Sequence, residues 1–131
     1  MTMFRIPAAG RFCWVDLAAT DEVAARDFYG RLFDWRTRRH RLSDGSFTRF
    51  CLADEEIASV YQLSRRHRDH GVPSHWTPYV AVADAERTAT RAETLGATVV
   101  VRPFDVPGIA RIGLIEDPIG ALFGLWEPAS C

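Results

Sequence analysis

The strongest constraint in this sequence is that its second half nearly repeats its first. Moved back by 63 positions, Asp84 falls on Asp21, Leu95 on Leu32 and Asp117 on Asp54, with Val80 on Leu17 and Ala81 on Ala18. These matches fall at structural punctuation. Asp21 is a good helix N-cap, with Glu22 in the first turn where the helix dipole favours an acid. Asp84 caps a second predicted helix over 84–95, closed by Gly96. In "EDPIG", Asp117, Pro118 and Gly120 have type I turn chemistry. A strand over about 11–18 precedes the first helix, whose apolar positions Val23, Ala24, Phe28 and Leu32 suit a helical stripe. β-like stretches follow near 35–42, 46–53 and 57–63, the first two parted by "SDG". The second half offers a strand from His75, then strands near 98–104, 109–116 and 121–127. The polar "SRRHRDHGVPS" reads as a solvated connector.

The expected fold is therefore α+β: two βαβββ modules forming a curved, cup-like mixed sheet with helices outside. The expected organisation is a single domain over 1–131, with module one about 10–63, a linker about 64–74 and module two about 75–128. A four-stranded sheet covered by one helix layer leaves its other face bare, so the bare faces are expected to line a hollow.

Period-two alternation assigns those faces. In "RFCWVDLAATD", Cys13, Val15 and Leu17 point to the core, while Phe12, Trp14 and Asp16 point to the hollow. In "HWTPYVAVAD", Trp76, Pro78, Val80 and Val82 face the helix, while His75, Thr77, Tyr79 and Ala81 face the hollow. Phe123 and Leu125 face the helix; Leu122, Gly124 and Trp126 do not. "IASVYQL" turns Ser59, Tyr61 and Leu63 inward.

Composition narrows the function classes. A formal charge of −1 gives no overall field for nucleic acid or acidic lipid, so neither nucleic acid nor membrane is an expected partner. No apolar run is long enough to span a bilayer, and "MTMFRIPAAG" lacks the pattern of an export signal, so a cytoplasmic protein is expected. Cys13, Cys51 and Cys131 are sparse, lack metal spacing and read as reduced thiols. All sixteen basic residues are Arg, which rules out Schiff-base chemistry. "RTRRHRL" reads as an edge strand kept solitary by charge.

"WVDLAATDEVAARDFYGRLFDW" together with "LGATVVVRPFDVPGIARIGLIEDPIGALFGLWEP" resembles the vicinal oxygen chelate superfamily of glyoxalases, bleomycin-resistance proteins and extradiol dioxygenases. The resemblance covers nearly the whole chain and is greatest to its glyoxalase-like group. Asp34 and Ala110 stand where that group usually has Gly. A left-handed helix end tolerates Asp better than most residues. The superfamily usually holds one divalent metal on the first and last strands of its modules. Carried over, those positions are Trp14, Tyr61, Thr77 and Gly124. Such metals need nitrogen or hard oxygen donors, which this set does not offer, so no metal and no other cofactor is expected. The resemblance also implies a homodimer.

The expected site is thus organic. Phe12, Trp14, Tyr61, Thr77, Tyr79, Gly124 and Trp126 are the candidate ligand-binding residues, and Asp16 and His75 the candidate catalytic ones. Aromatic walls with a few polar groups suit a small molecule, but they also suit self-packing. Asp16 gains a raised pKa if it is buried without a cation. Alternatively it pairs with Arg49 or Arg111, or accepts from a Tyr, and His75 is a solvated strand start. The first expectation is a metal-independent binder of a small aromatic or hydrophobic molecule, for antibiotic sequestration or a biosynthetic pathway. The alternatives are a lyase, isomerase or oxygenase using Asp16 as acid or base, and a structural partner filled by its own aromatics.

Overall fold

The computed structural model describes residues 8–42 and 45–129. The extreme N-terminus, Ser43 and Asp44 of the "SDG" turn, and Cys131 lie outside the described residues. Two compact units are present: Trp14–Thr77, and a second that runs on from Pro78 and takes in the residues up to Cys13.

The first unit contains β1 (Phe12–Ala19) from Trp14 onward, α1 (Glu22–Phe33), β2 (Arg36–Leu42), β3 (Gly45–Leu52), β4 (Glu55–Gln62) and a short α2 (Arg65–Asp69). Strand order is β2-β3-β4-β1, with β1 parallel to β4 and the other pairs antiparallel. Asp21 caps α1 as expected, its carboxylate accepting from the Ala24 backbone. Asp34 ends the helix in the left-handed region at φ 59°, its N–H donating to the Gly30 carbonyl. That is the conformation for which the resembling sequences use Gly, and Asp supplies it here.

The core beneath α1 holds Leu17, Ala19, Phe50, Ala58 and Val60. The expected helix stripe is corrected. α1 meets this core through Ala25 and Tyr29, whereas Val23, Phe28 and Leu32 are more than half exposed. Small Ala25 admits close approach to the sheet. Tyr29 then fills the gap as the hub of an aromatic cluster with Phe33, Trp35, Phe50 and Trp76. Trp76 also donates its indole N–H to the Tyr29 hydroxyl, at 3.1 Å. The connector is not plain coil: Ser64 caps α2, accepting from the His67 backbone.

The second unit contains β5 (His75–Ala81) from Pro78 onward, α3 (Ala85–Thr94), β6 (Thr98–Val106), β7 (Ala110–Glu116) and β8 (Leu122–Pro128). Its order, β6-β7-β8-β5 with β5 parallel to β8, repeats that of the first. Asp84 caps α3 through the Arg87 backbone, and Gly96 follows the helix at φ 95°. Ala89, Ile115 and Leu125 form its core, with Val82, Val99 and Phe123 packed against it. Asp117 accepts from the backbones of Ile119 and Ala121, and the Gly120 N–H donates to its carbonyl, giving the expected turn. Both βαβββ modules are thus present, in one α+β fold.

Candidate functional site

Parallel pairing of β1 with β4 sets Asp16 opposite Ser59. Antiparallel pairing carries that row on through Arg49 on β3 to Arg38 on β2. Leu17, Phe50, Ala58 and Val60 are the alternate residues and belong to the core under α1. Arg38, Arg49, Ser59 and Asp16 therefore share the sheet face that α1 does not cover.

Hydrogen bonds tie this row together. The Trp14 indole N–H donates to the Ser59 hydroxyl at 2.8 Å, and that hydroxyl donates to Asp16 Oδ1 at 2.6 Å. The Arg49 guanidinium lies over the Trp14 ring at 4.9 Å and near the Phe47 ring at 5.1 Å, a cation–π arrangement on both sides. Arg49 donates to Glu56 at 2.7 Å, and Arg38 and His40 approach the same carboxylate. His40 stacks on Phe47.

The two acids are tuned oppositely. Burial pushes the Asp16 carboxyl above the ordinary aspartate range, more than the Ser59 hydrogen bond and the charge of His75 pull it back. Burial also acts against the charge of Glu56. There the hydrogen bonds and charges of Arg49 and His40 win, and its carboxyl sits low. Burial, and then the Asp16 charge, raises the Tyr61 phenol. Cys13 is pushed by burial up to about 11, so it remains a thiol at neutral pH.

The first unit holds five of the residues named from sequence: Trp14, Asp16, Tyr61, His75 and Thr77. His75 donates its Nδ1–H to the Pro73 carbonyl, because a carbonyl can only accept. Thr77 is buried. The second unit holds Phe12, Tyr79, Gly124 and Trp126. Phe12 is 73% exposed. Tyr79 is buried, lies edge-on to Trp126, and covers Gly124 so closely that any Cβ there would collide with its ring.

Two corrections follow from register. Subtracting 63 from Gly124 pointed to Tyr61, but Gly124 lies opposite Tyr79 while Ser59 lies opposite Asp16. Ser59 is thus the counterpart of Gly124. The two extra residues lie in the β6–β7 hairpin, where β6 is bulged: Val101 pairs with Leu114 thirteen residues on, whereas Arg38 pairs with Arg49 eleven on, and the next steps, Arg49 to Ser59 and Leu114 to Gly124, are both ten. Second, a further acid joins Asp16 on this face. A bulge between β3 and β4 skips Ile57 and sets Glu56 opposite Cys51, on the Arg49 side. Glu56 was missed for that reason. The expected alternative of an Asp16–Arg49 ion pair is also replaced, since Arg49 bonds Glu56.

The positions that would hold the superfamily's metal are therefore Trp14, Ser59, Thr77 and Gly124. An indole N–H has no lone pair for a metal, Gly has no side chain, and the Ser59 hydroxyl is already engaged by Trp14 and Asp16. This set does not fit a divalent ion. Among the described residues no group of three or more His, Cys, Asp or Glu could hold one elsewhere. No helix among them is long and apolar enough to cross a membrane.

Comparison with known proteins gives three results. The profile of the glyoxalase-like domain matches residues 14–126. The chain is 37% identical over 140 residues to the anthracycline biosynthesis proteins DnrV of Streptomyces peucetius and DauV of Streptomyces sp. strain C5, covering 97% of this chain and 49% of each relative. It thus spans about half the length of these curated relatives. Methylmalonyl-CoA epimerase of Streptomyces coelicolor shares the fold at TM-score 0.62 and 16% identity, over 94% of this chain and 97% of that one.

Proposed function

The chain belongs to the glyoxalase-like domain family, and on that premise we propose that it binds a small, flat, aromatic organic molecule without a metal, as a member of a biosynthetic pathway. The observation that carries this reading is the row Arg38–Arg49–Ser59–Asp16 with Trp14 beside it. It joins the Trp14 and Phe47 rings to a few oriented polar groups, as small-molecule sites do. The anthracycline biosynthesis relatives support a biosynthetic setting over antibiotic sequestration, and a polycyclic aromatic is the ligand class proposed here. Tyr61 and Thr77, in the same unit as Trp14, stay in the proposal as expected ligand-side residues. Titration with an anthracycline-type aromatic, followed by calorimetry, tests the reading. Trp14→Ala should weaken binding at least tenfold, corresponding to about 1.4 kcal/mol. Unchanged affinity would remove this face from the function.

A second reading rests on Asp16. A carboxyl with raised pKa, held through Oδ1 by Ser59, is suited to take a proton from a bound substrate at neutral pH and return it. Under this reading Asp16→Asn retains binding and loses turnover. Retained turnover would discard it. The expected homodimer also remains a proposal. Exposed Val23, Phe28 and Leu32 on α1 would supply an apolar contact, and sedimentation of Phe28→Ser would show a shift to monomer.

A further inference from the structure

The charge on this face is unevenly distributed. Glu56 is a single carboxylate facing two guanidiniums, Arg38 and Arg49, and the His40 imidazole. Its negative charge cannot balance both guanidiniums. On β2, Arg36 lies two residues from Arg38 and adds a further positive charge to this face. Arg49 is the best placed of these groups. Its position is fixed by Glu56 and by the Trp14 and Phe47 rings, and its side chain is only 17% exposed, so salt screens it weakly. One guanidinium nitrogen is spent on Glu56, and its Nε has no hydrogen-bond partner among the described residues. Arg38 is half exposed and acts at longer range.

At the other end of the row stands Asp16. Burial raises its carboxyl pKa, against the Ser59 hydrogen bond and the charge of His75. Ser59, between Arg49 and Asp16 in register, is committed to Asp16 as a donor. The row thus runs from a net positive end to a buried acid engaged by Ser59. A flat ligand lying along it meets fixed positive charge at one end.

We propose that Arg49 recognises an acidic oxygen, a carboxylate or an ionised phenol, carried by the aromatic ligand of this face. This rests on the reading of the face as an aromatic-binding site and names the ligand class that site prefers. A planar guanidinium presents paired N–H donors to such an oxygen, and hydrogen bonds between charged groups are about twice as strong as neutral ones.

The test compares two probes of one shape, an anthraquinone carboxylate and the corresponding carboxamide, by calorimetry at low and at moderate salt. The expected result is that the carboxylate binds about tenfold more tightly and that most of this margin persists at moderate salt. Arg49→Gln should abolish the margin while the carboxamide still binds. Equal affinity of the two probes for the unaltered protein would overturn the role of Arg49 and leave the aromatic-binding reading standing. Failure of both probes to bind would overturn that reading, and this inference with it. Arg49 packs on two rings, so its variant requires a folding control by circular dichroism. Should Arg49→Gln not fold, the half-exposed Arg38→Gln carries the test. A two- to threefold smaller margin is expected there, and an unchanged margin counts against the proposal.

Discussion

The two modules share strand order, pairing sense and capping chemistry, yet equivalent rows of their sheets carry opposite chemistry. In the first module the row across β2, β3, β4 and β1 reads Arg38, Arg49, Ser59, Asp16. In the second, the row across β6, β7, β8 and β5 reads Val101, Leu114, Gly124, Tyr79. Two cations, a hydroxyl and an acid are matched by two aliphatic residues, a glycine and a ring lying over it. A repeated scaffold needs only one sign of backbone pairing to be kept. The uncovered face of each copy is then free to specialise, one toward polar recognition and the other toward packing.

The largest effect should come from breaking the packed row. Gly124→Ala drives a Cβ into the Tyr79 ring, and about 2–3 kcal/mol should be lost in urea denaturation. Next comes the charged row. Glu56→Gln takes the counter-charge from Arg49 and His40, at about 1–3 kcal/mol near neutral pH. Glu56 has a lowered carboxyl pKa, so its stabilisation is present above the ordinary glutamate range and is lost as pH falls through that range and below it. The gap between wild type and variant should close over the same interval.

Ser59→Ala should cost about 1 kcal/mol, because it leaves the Trp14 N–H and Asp16 Oδ1 without their shared partner. The smallest effect has the opposite sign. Asp16 has a raised pKa, so the native state holds its proton more tightly and stability falls as pH rises from the ordinary aspartate range through the folded value. Asp16→Asn removes that penalty. Its melting temperature should exceed that of wild type at pH 8 by a few degrees, the order expected for about 1 kcal/mol, and the gain should vanish in acid.

Much of the fold was legible because its punctuation is chemical. Asp21, Asp84, Asp34 and the Asp117–Gly120 turn each mark a backbone event that few residues perform as well. Strand faces were legible where alternation is regular, as at Trp14, Asp16 and Ser59. What escaped the sequence depends on counting across loops and ladders. Two extra residues in the bulged β6–β7 hairpin displaced the counterpart of Gly124 from Tyr61 to Ser59. The bulge at Ile57 brought Glu56 onto the polar face. The α1 stripe was misjudged because Val23, Phe28 and Leu32 look like core residues, whereas contact with the sheet goes through Ala25 and Tyr29. Ser59 was placed on its face by alternation, but its role needed the two hydrogen bonds to be seen.

The central claim is that the first module's polar row is where an aromatic ligand sits. Incorporating fluorotryptophan gives one fluorine resonance for each of the four tryptophans, and Trp14→Phe identifies the signal of Trp14. On titration with an anthracycline-type aromatic, the Trp14 resonance should shift in proportion to occupancy, and the shift should saturate at the calorimetric affinity. Saturable binding with the Trp14 resonance unmoved would contradict the account.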